Sequence, residues 1–449
     1  MNTTTLTQPS LRKQKDGLVD ASGRIIGRLL KDFPGVVEVK FWDHSHMTFG
    51  YGTTDFTLIV RDPAWLYELV MKRSPLVLAE AHFRGDLDFE GDVFDVLRLR
   101  KHFEFIKLPF SARIELLRDA WRVRGTSGER QADDGSRAPS SNGFLRKHSR
   151  ASDKEAISFH YDVSNEFYKL WLDQQMVYSC AYFEGASDTL EQAQANKLDH
   201  ICRKLQLKPG EHLLDIGCGW GAMVCWAAKN YGVRAHGITL SKEQLAFAQA
   251  RIEAEGLKDM VTVELRDYRD LQGDKVYDKV SSIGMFEHVG LANLAEYNAT
   301  VFRVLADGGL FLNHGITHDT DGWQTGVNSA FLQKYVFPDG ELDRVSNIQR
   351  GMEAAGFEIL DVEALRTHYA KTLRHWVQRL ESRKTEALEH VDETTYRVWR
   401  MYMAASAIEF ENGGTGIHQI LVGKTRDDTR EVPWTRRHLY AASKAPVAV

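Results

Sequence analysis

Apolar residues recur at two different spacings along the chain, and the change of spacing divides it. From residue 212 onward, short apolar runs of strand type alternate with longer stretches in which apolar residues recur at helical spacing. Strands are predicted at residues 212–216, 233–240, 261–265, 277–283, 309–314, 357–364 and 417–424. Helices are predicted at about residues 221–230, 242–255, 293–305 and 345–355, with a long helical tract over 372–410. This alternation predicts an α/β fold with a mostly parallel, doubly wound sheet, in which ligands bind at the carboxyl ends of the strands.

The residues before this region follow a different pattern. Residues 1–16 are polar and predict a disordered tail. Short alternating stretches and one helix-like apolar run make residues 17–124 a small α+β domain. Residues 125–152 are rich in Gly, Ser, Arg and Asp and predict a flexible linker, so that residues 153–449 form a second, larger domain.

Within the small domain, residues 98–124 combine basic charge with apolar side chains. Eight Lys and Arg residues stand against three Asp and Glu residues, a net charge of +5 over 27 residues. Basic groups beside an apolar face suit the surface of an anionic membrane. The alternative is a helix packed on its own domain with its charges in water, and the segment alone does not decide between them.

The overall composition excludes several classes of function. The chain has 449 residues, with 57 Lys and Arg against 62 Asp and Glu, so a nucleic-acid partner is not expected. Its four cysteines include no Cys-x-x-Cys pair, and no metal site is predicted. No signal-peptide pattern and no long apolar run occur, which predicts a cytoplasmic protein that does not span a membrane.

The sequence LLDIGCGWG at residues 213–221 is the strongest single motif. Asp215 ends an apolar run, and glycines follow at alternating positions, so that a ligand can approach bare backbone at a strand-to-helix turn. A nicotinamide site needs a carboxylate at the tip of the second strand, where this chain has Thr239 and Gln244, while Asp267 follows the third strand. S-adenosylmethionine is therefore favoured over a nicotinamide, and a turn without a ligand is the remaining alternative.

Further motifs occur in a fixed order around this turn. They are YSCAYF at 178–183, LDIGCGWG at 214–221 and GMFEHVG at 284–290, together with FHYDVSNEFYKLWLD, LQLKPG and KYVFPDGEL. With them the chain resembles the cyclopropane-fatty-acid synthases, whose members use S-adenosylmethionine on unsaturated acyl chains and whose relatives act on mycolic acids. The resemblance covers residues 159–424, and the preceding small domain is similar to that of the longer, phospholipid-acting members.

The resemblance implies a seven-stranded, Rossmann-like class I methyltransferase fold and a set of site residues. Contacts to S-adenosylmethionine would come from Tyr178, Ser179, Asp215, Gly217, Gly219, Gly221, Thr239, Leu240, Gln244, Asp267, Tyr268 and Arg269. A bicarbonate ion would be held near the reacting methyl group by Cys180, Glu287, His314, Tyr369 and the backbone of Ile316.

The chemistry expected of such an enzyme assigns roles to these residues. Methyl transfer to an alkene leaves a carbocation, which aromatic faces can stabilise and a base must deprotonate. Bicarbonate oriented by Glu287 and His314 is the expected base, with Glu287 itself as the alternative. Cys180 is expected to contact the ion rather than act as a nucleophile, and Ser406 stands where relatives commonly carry a cysteine. The candidate aromatic residues are Phe159, Tyr161, Tyr182, Phe183, Phe286 and Tyr335.

The expected function is formation of a cyclopropane ring on unsaturated acyl chains of membrane phospholipids, at the inner face of the membrane. A methylene or methyl-branched product from the same methyl transfer is the nearest alternative. A lipid-binding protein without turnover and a small-molecule methyltransferase are more distant ones. The small domain is expected to contact an anionic membrane or a second copy in a homodimer.

Overall fold

The computed structural model describes residues 9–105, 109–124, 163–322, 331, 334–335, 340–425 and 433–440. These residues belong to two compact units. The first comprises Met1–Arg137 and Asp392–Ala405, and the second comprises Ala138–Val391 and Ser406–Val449. The linker predicted at residues 125–152 and residues 1–8 of the predicted tail lie outside the described residues.

The first unit contains a four-stranded sheet with helices packed on it. Its elements are α1 (Pro9–Leu29), β1 (Val37–Lys40), β2 (His46–Phe49), β3 (Phe56–Val60), α2 (Ala64–Lys72), α3 (Leu76–Arg84), β4 (Leu87–Gly91), α4 (Val93–Val96), α5 (Arg98–Phe105) and α6 (Phe110–Val123). The strand order is β2-β1-β3-β4, and only the β1–β3 pair is parallel. The unit contains both helices and strands, and α1 begins at Pro9, inside the range predicted to be disordered. The reason is that residues of α1 such as Ala21 and Ile25 are fully buried in the core of this unit.

The second unit is a doubly wound α/β structure. Its elements are α7 (Asn165–Lys169), α8 (Leu190–Lys204), β5 (His212–Ile216), α9 (Ala222–Tyr231), β6 (Arg234–Thr239), α10 (Lys242–Ala254), β7 (Val261–Leu265), β8 (Tyr277–Ile283), α11 (Leu294–Val304), β9 (Leu305–His318), α12 (Val345–Ala354), β10 (Glu358–Ala364), α13 (Arg366–Ser382), α14 (Lys384–His390), α15 (Glu393–Asn412) and β11 (Thr415–Gly423). All seven predicted strands are present, within a few residues of their predicted bounds. Helix α8 was not predicted, and the tract 372–410 is divided among α13, α14 and α15.

The seven-stranded sheet has the order β10-β11-β9-β8-β5-β6-β7, and β11 alone runs against its neighbours. One face packs against α8, α9 and α10, and the other against α11 and α12. The fold is therefore the predicted Rossmann-like class I methyltransferase fold. The chain proceeds from β5 towards β6 on one side and later returns to β8 on the other. The carboxyl end of β5 is thus a topological switch point, where such sheets bind ligands.

Helix α6 of the first unit has two apolar faces. Leu116, Ala120 and Val123 face the core, and the buried carboxylate of Asp119 accepts hydrogen bonds from Arg24 and Arg28 at 2.9 Å each. A second apolar row is exposed, namely Phe110 (77%), Ile114 (54%), Leu117 (38%) and Trp121 (56%). The spacing of four, three and four residues places this row on one side of the helix. We call these four residues the outer face of α6.

The first part of α15 belongs to the first unit, which the sequence did not predict. Arg397 lies on this part and is nearly buried. Its Nη1 donates to the carbonyl of His82 at 2.6 Å and its Nη2 to Asp88 at 3.1 Å. These partners lie more than 300 residues away in sequence. No helix in the described part of the chain is both long and apolar enough to cross a bilayer.

Candidate active site

The glycine turn after β5 is built from residues in the left-handed region. Gly217, Gly219 and Gly221 have φ values of 81°, 53° and 84°, a conformation that costs other residues free energy. The N–H groups of Gly217 and Cys218 both donate to the carbonyl of Ile238 at 3.0 Å, which ties the turn to β6. A Cβ at Gly219 would have no heavy atom within 4 Å, so the turn leaves open space on that side.

This open space is part of a cleft of about 1080 Å³, its open mouth included, at the carboxyl ends of β5, β6, β7 and β8. Eleven of the twelve residues predicted to contact the cofactor line it: Tyr178, Ser179, Asp215, Gly217, Gly219, Thr239, Leu240, Gln244, Asp267, Tyr268 and Arg269. Gly221 does not line the cleft but is the N-cap residue of α9, packed against Ala248. Four separate segments of the sequence therefore contribute side chains and backbone to one cleft.

Hydrogen bonds fix the polar groups at the β6 and β7 side of the cleft. The Thr239 hydroxyl donates to Gln244 Oε1 at 2.8 Å. Asp267 accepts from the backbone N–H of Arg269 at 2.9 Å and from its guanidinium at 2.6 Å. These hydrogen bonds within the protein hold the side chains in place, which lowers the conformational entropy lost when a ligand binds.

Helix α8 holds the segment that carries Tyr178 and Ser179. Gln194 Nε2 donates to the carbonyls of Ser179 and Val177 at 2.9 and 3.3 Å, and Lys197 Nζ donates to Ser179 Oγ at 3.0 Å. Lys197 also lines the cleft. Sequence analysis missed both residues together with the helix. The available signals were the capping box of Thr189 with Gln192 and the helical spacing that places Gln194 and Lys197 on an apolar face.

Glu287 lies on the turn Phe286–His288 that follows β8, and only 7% of it is exposed. Its Oε1 accepts the backbone N–H of Ile316 at 2.7 Å, while its Oε2 accepts no hydrogen bond from the described residues. Burial raises the pKa of Glu287 to about 7, although the hydrogen bond from Ile316 opposes the shift. A Cβ at Gly315 would lie 1.9 Å from the Phe286 ring, so a glycine is needed for this turn to pack on β9.

His314 lies two residues before Ile316 on β9, so both point to the same side of the sheet. Burial lowers the pKa of His314 far below its usual value, and the charges of Lys197 and Lys204 add to this effect. The imidazole is therefore neutral at pH 7. Its Nδ1 lies 3.4 Å from Gln419 Nε2, and its Nε2 has no hydrogen-bond partner among the described residues. A donor at Gln419 Nε2 would place the histidine proton on Nε2.

Cys180 and Tyr369 reach the same region through Leu365. The Cys180 thiol lies 3.8 Å from the carbonyl of Leu365, to which the Tyr369 N–H donates at 3.1 Å. The Leu365 N–H in turn donates to the carbonyl of Ile417. Ile417 on β11 pairs with Ile316 on β9. Cys180 and Tyr369 are thus joined through Leu365, and Leu365 is joined through β11 to the strand that carries His314 and Ile316. Burial raises the pKa of the Cys180 thiol, so it is not a thiolate at pH 7.

Aromatic rings form a continuous wall between the cleft and Tyr369. Tyr178 lies 5.3 Å from Trp376, which lies 6.0 Å from Tyr369, and Tyr369 lies 4.7 Å from Phe410. None of these four rings is among the aromatic candidates named from sequence. Tyr182 and Phe183 stack on His368, Phe286 packs at Gly315, Tyr335 packs on Phe331, and Phe159 and Tyr161 lie outside the described residues. The described residues include no cluster of His, Cys, Asp and Glu able to hold a metal ion.

Comparison with known proteins identifies two regions of the chain. The family model for mycolic acid cyclopropane synthetase matches residues 148–420, and that of a domain of unknown function matches residues 27–102. A probable fatty acid methyltransferase of Pseudomonas putida is 43% identical over 407 residues, which cover 90% of this chain and 96% of that protein. The cyclopropane-fatty-acyl-phospholipid synthase of Escherichia coli K12 is 40% identical over 266 residues, which cover 59% of this chain and 66% of that protein.

Among solved structures, the mycolic acid cyclopropane synthase CmaA1 complexed with SAH and CTAB is similar in both sequence and fold. It is 32% identical, with a TM-score of 0.57, over 60% of this chain and 97% of that one. The family match covers more than half of the chain and includes the glycine turn, Glu287 and His314. The chain therefore belongs to the mycolic acid cyclopropane synthetase family and is a methyltransferase with the class I fold.

Proposed function

We propose that this enzyme transfers the methyl group of S-adenosylmethionine to the cis double bond of unsaturated acyl chains in membrane phospholipids and closes a cyclopropane ring. One observation carries the proposal. The cleft at the glycine turn is lined by Met285 and His288, on either side of the buried carboxylate of Glu287, whose Oε2 accepts no hydrogen bond from the described residues. The name of the Escherichia coli relative supports this product and substrate.

The residues that line the cleft fit the cofactor. Open space at Gly219 admits a ligand to the backbone, and Thr239, Gln244 and Asp267 offer polar groups of the kind that bind a nucleoside. When bound there, S-adenosylmethionine would supply an electrophilic methyl group on a positively charged sulfur. The SAH present in the CmaA1 complex supports this assignment.

The aromatic wall would stabilise the positive charge left on the acyl chain. An alkene that gains a methyl group becomes a carbocation, which water would capture. The faces of Tyr178, Trp376 and Tyr369 can each stabilise a cation by about 0.5–2 kcal/mol without adding to it. Trp376 and Tyr369 are buried and Tyr178 is partly buried, so these rings would also keep water away from the cation.

Glu287 and His314 would take part in removing the proton that the new methyl group loses. Glu287, with a pKa of about 7, can hold or release a proton near neutral pH. A bicarbonate ion would be held by Glu287 Oε2, which could accept its hydroxyl, and by His314 Nε2–H and the Cys180 thiol, which could donate to it. Bound there, bicarbonate would supply a base that does not add to the cation. Glu287 acting directly as the base remains the alternative.

A methylene or methyl-branched product is the second candidate. The Pseudomonas putida relative, which matches nearly its whole length, is named a probable fatty acid methyltransferase rather than a cyclopropane synthase. The methyl transfer would be the same. A methylene product requires a hydride shift that moves the cation to the methylated carbon before the methyl group loses its proton, and a methyl-branched alkene forms if a chain carbon beside the cation loses the proton instead. A lipid-binding protein without turnover would gain nothing from the buried carboxylate of Glu287, whose ionisation costs stability.

The outer face of α6 would bind the anionic membrane that holds the substrate. Arg113, Arg118, Arg122 and Arg124 are exposed on or directly after this helix, while Glu115 is paired with Arg28 and Asp119 is buried. Arg98 instead pairs with Asp55 at 3.4 Å, so the candidate contact moves from α5 to α6. Exposed apolar rings beside basic groups suit a peripheral contact at the inner face of the membrane. A homodimer through the same face is the alternative.

Product analysis tests the proposed reaction. The purified protein is incubated with S-adenosylmethionine and vesicles of a cis-unsaturated phospholipid, and the fatty acids are analysed by mass spectrometry before and after catalytic hydrogenation. We expect a gain of one CH2 unit in a product that has no reducible double bond. A reducible double bond in the heavier product would favour the methylene alternative, and no gain of mass would refute both.

Substitution of the buried carboxylate tests the role of Glu287. Because the pKa of Glu287 is raised from 4.5 to about 7, its stabilising contribution is complete below pH 4.5 and is lost as the pH rises through 7. The free energy of unfolding of Glu287→Gln, relative to that of wild type, should therefore be higher at pH 8 than at pH 5. The expected difference is on the order of 3 kcal/mol. Urea unfolding without ligands measures this difference, and the variant should still bind SAH but lose turnover.

The matched control for this prediction is Glu353→Gln, which changes an exposed glutamate on α12. Its stability relative to wild type, measured at the same pH values, provides the baseline. If the profile of Glu287→Gln does not differ from this baseline, or if Glu287→Gln turns over normally, Glu287 is not the buried group that handles the proton.

Vesicle binding tests the outer face of α6. Replacement of both Phe110 and Ile114 by serine should weaken sedimentation with anionic phospholipid vesicles about tenfold or more, because two exposed apolar side chains no longer insert. The control is Tyr51→Ser, which removes a fully exposed ring elsewhere in the same unit. Unchanged vesicle binding together with a lower molecular mass in sedimentation equilibrium would show instead that this face joins two copies.

A further inference from the structure

Lys197 is a buried cation that the protein itself does not neutralise. Only 1% of the residue is exposed, and its Nζ donates to the Ser179 hydroxyl at 3.0 Å. Among the described residues, no carboxylate lies within ion-pair distance of this ammonium. A buried charge without a counter-charge is costly, so such a group indicates a missing anionic partner.

The other cations nearby are paired. Arg266 and Arg269 line the same cleft, where Arg266 bonds Glu264 at 2.8 Å and Arg269 bonds Asp267 at 2.6 Å. Lys204 lies two helical turns after Lys197 on α8, is equally buried, and pairs with Glu363 and Asp361 at 2.6 and 3.2 Å. Lys197 therefore differs from these similar cations because no described carboxylate lies within ion-pair distance of it, although it lines the cleft.

The two carboxylates whose charges act on the pKa of Lys197 already accept hydrogen bonds from other groups. Asp173 accepts the N–H groups of Gln175 and Val177 at 2.8 and 2.9 Å, and Asp215 accepts the Ser281 hydroxyl at 2.7 Å. Burial lowers the pKa of Lys197 to about 8 and raises the pKa of Asp173 and of Asp215 to about 6. At pH 7 all three groups are mainly ionised. Of these three residues Lys197 and Asp215 line the cleft, which therefore presents a cation and an anion near the glycine turn. This pattern suits a zwitterion.

We propose that Lys197 binds the α-carboxylate at the amino-acid end of the cofactor, with Ser179 orienting its ammonium group. The inference rests on the cofactor assigned in the proposed function and adds to it the charge that recognises one pole of that cofactor. Asp215 lines the same cleft and would then face the α-ammonium. Bicarbonate is the other carboxylate-like anion in this enzyme, but Cys180, Glu287 and His314 do not line the cleft, whereas Lys197 does.

A pair of ligands tests the assignment. S-adenosylhomocysteine carries the α-carboxylate, and S-adenosyl-3-thiopropylamine is the same molecule without it. Isothermal titration calorimetry at pH 7 should show that wild type binds S-adenosylhomocysteine about 30-fold or more tightly than the amine, since truncating one partner of a buried charge pair has an effect of this size. In Lys197→Met the ratio should fall to near one, while the affinity for the amine changes little.

The outcomes separate the possible failures. A wild-type ratio near one overturns the assignment without any variant, as does a ratio that Lys197→Met leaves unchanged. If Lys197 instead holds bicarbonate, the variant keeps the ligand ratio but loses any shift of its thermal midpoint on addition of bicarbonate, which also overturns it. If wild type fails to bind S-adenosylhomocysteine at all, the proposed function falls, and the assignment of Lys197 with it.

Discussion

The hydrogen bond from the Ile316 N–H to Glu287 Oε1 joins the end of β8 to β9 and fixes the centre of the second unit. It forms because Gly315 leaves room for the Phe286 ring, so that the turn after β8 can lie directly on the next strand. The bond satisfies one carboxylate oxygen and leaves the other in a dry place. Such a carboxyl group titrates near neutral pH, and its cost to stability is the kind that functional sites retain.

Around this bond the site is divided by charge. Lys197 and Asp215, which line the cleft at the glycine turn, are mainly ionised at pH 7. His314 and the Cys180 thiol, which do not line the cleft, are neutral. The aromatic wall runs from Tyr178, at the cleft, to Tyr369. A cation formed on the acyl chain would thus meet aromatic faces and a weak base rather than water or a strong nucleophile, which favours loss of a proton over addition.

The parts predicted from sequence are those that local constraints determine. The strand runs and the glycine spacing depend on short-range periodicity and on backbone conformation, so the sheet and eleven of the residues that line the cleft could be named in advance. Lys197 could not, because a lysine within a helix ordinarily faces solvent and only the packing of α8 buries it. The same holds for Arg397, whose partners are distant in sequence, and for Trp376, whose contact with Tyr178 depends on how α13 packs.

The central claim is that a base beside Glu287 removes a proton from the methyl group that has just been transferred. The most direct measurement uses S-adenosylmethionine with a fully deuterated methyl group and vesicles of a cis-unsaturated phospholipid. Mass spectrometry of the product should show the gain of a CD2 unit, because one deuterium of the transferred methyl group has been lost. A product that retains all three deuterium atoms would contradict the claim, since the proton would then have come from the acyl chain itself.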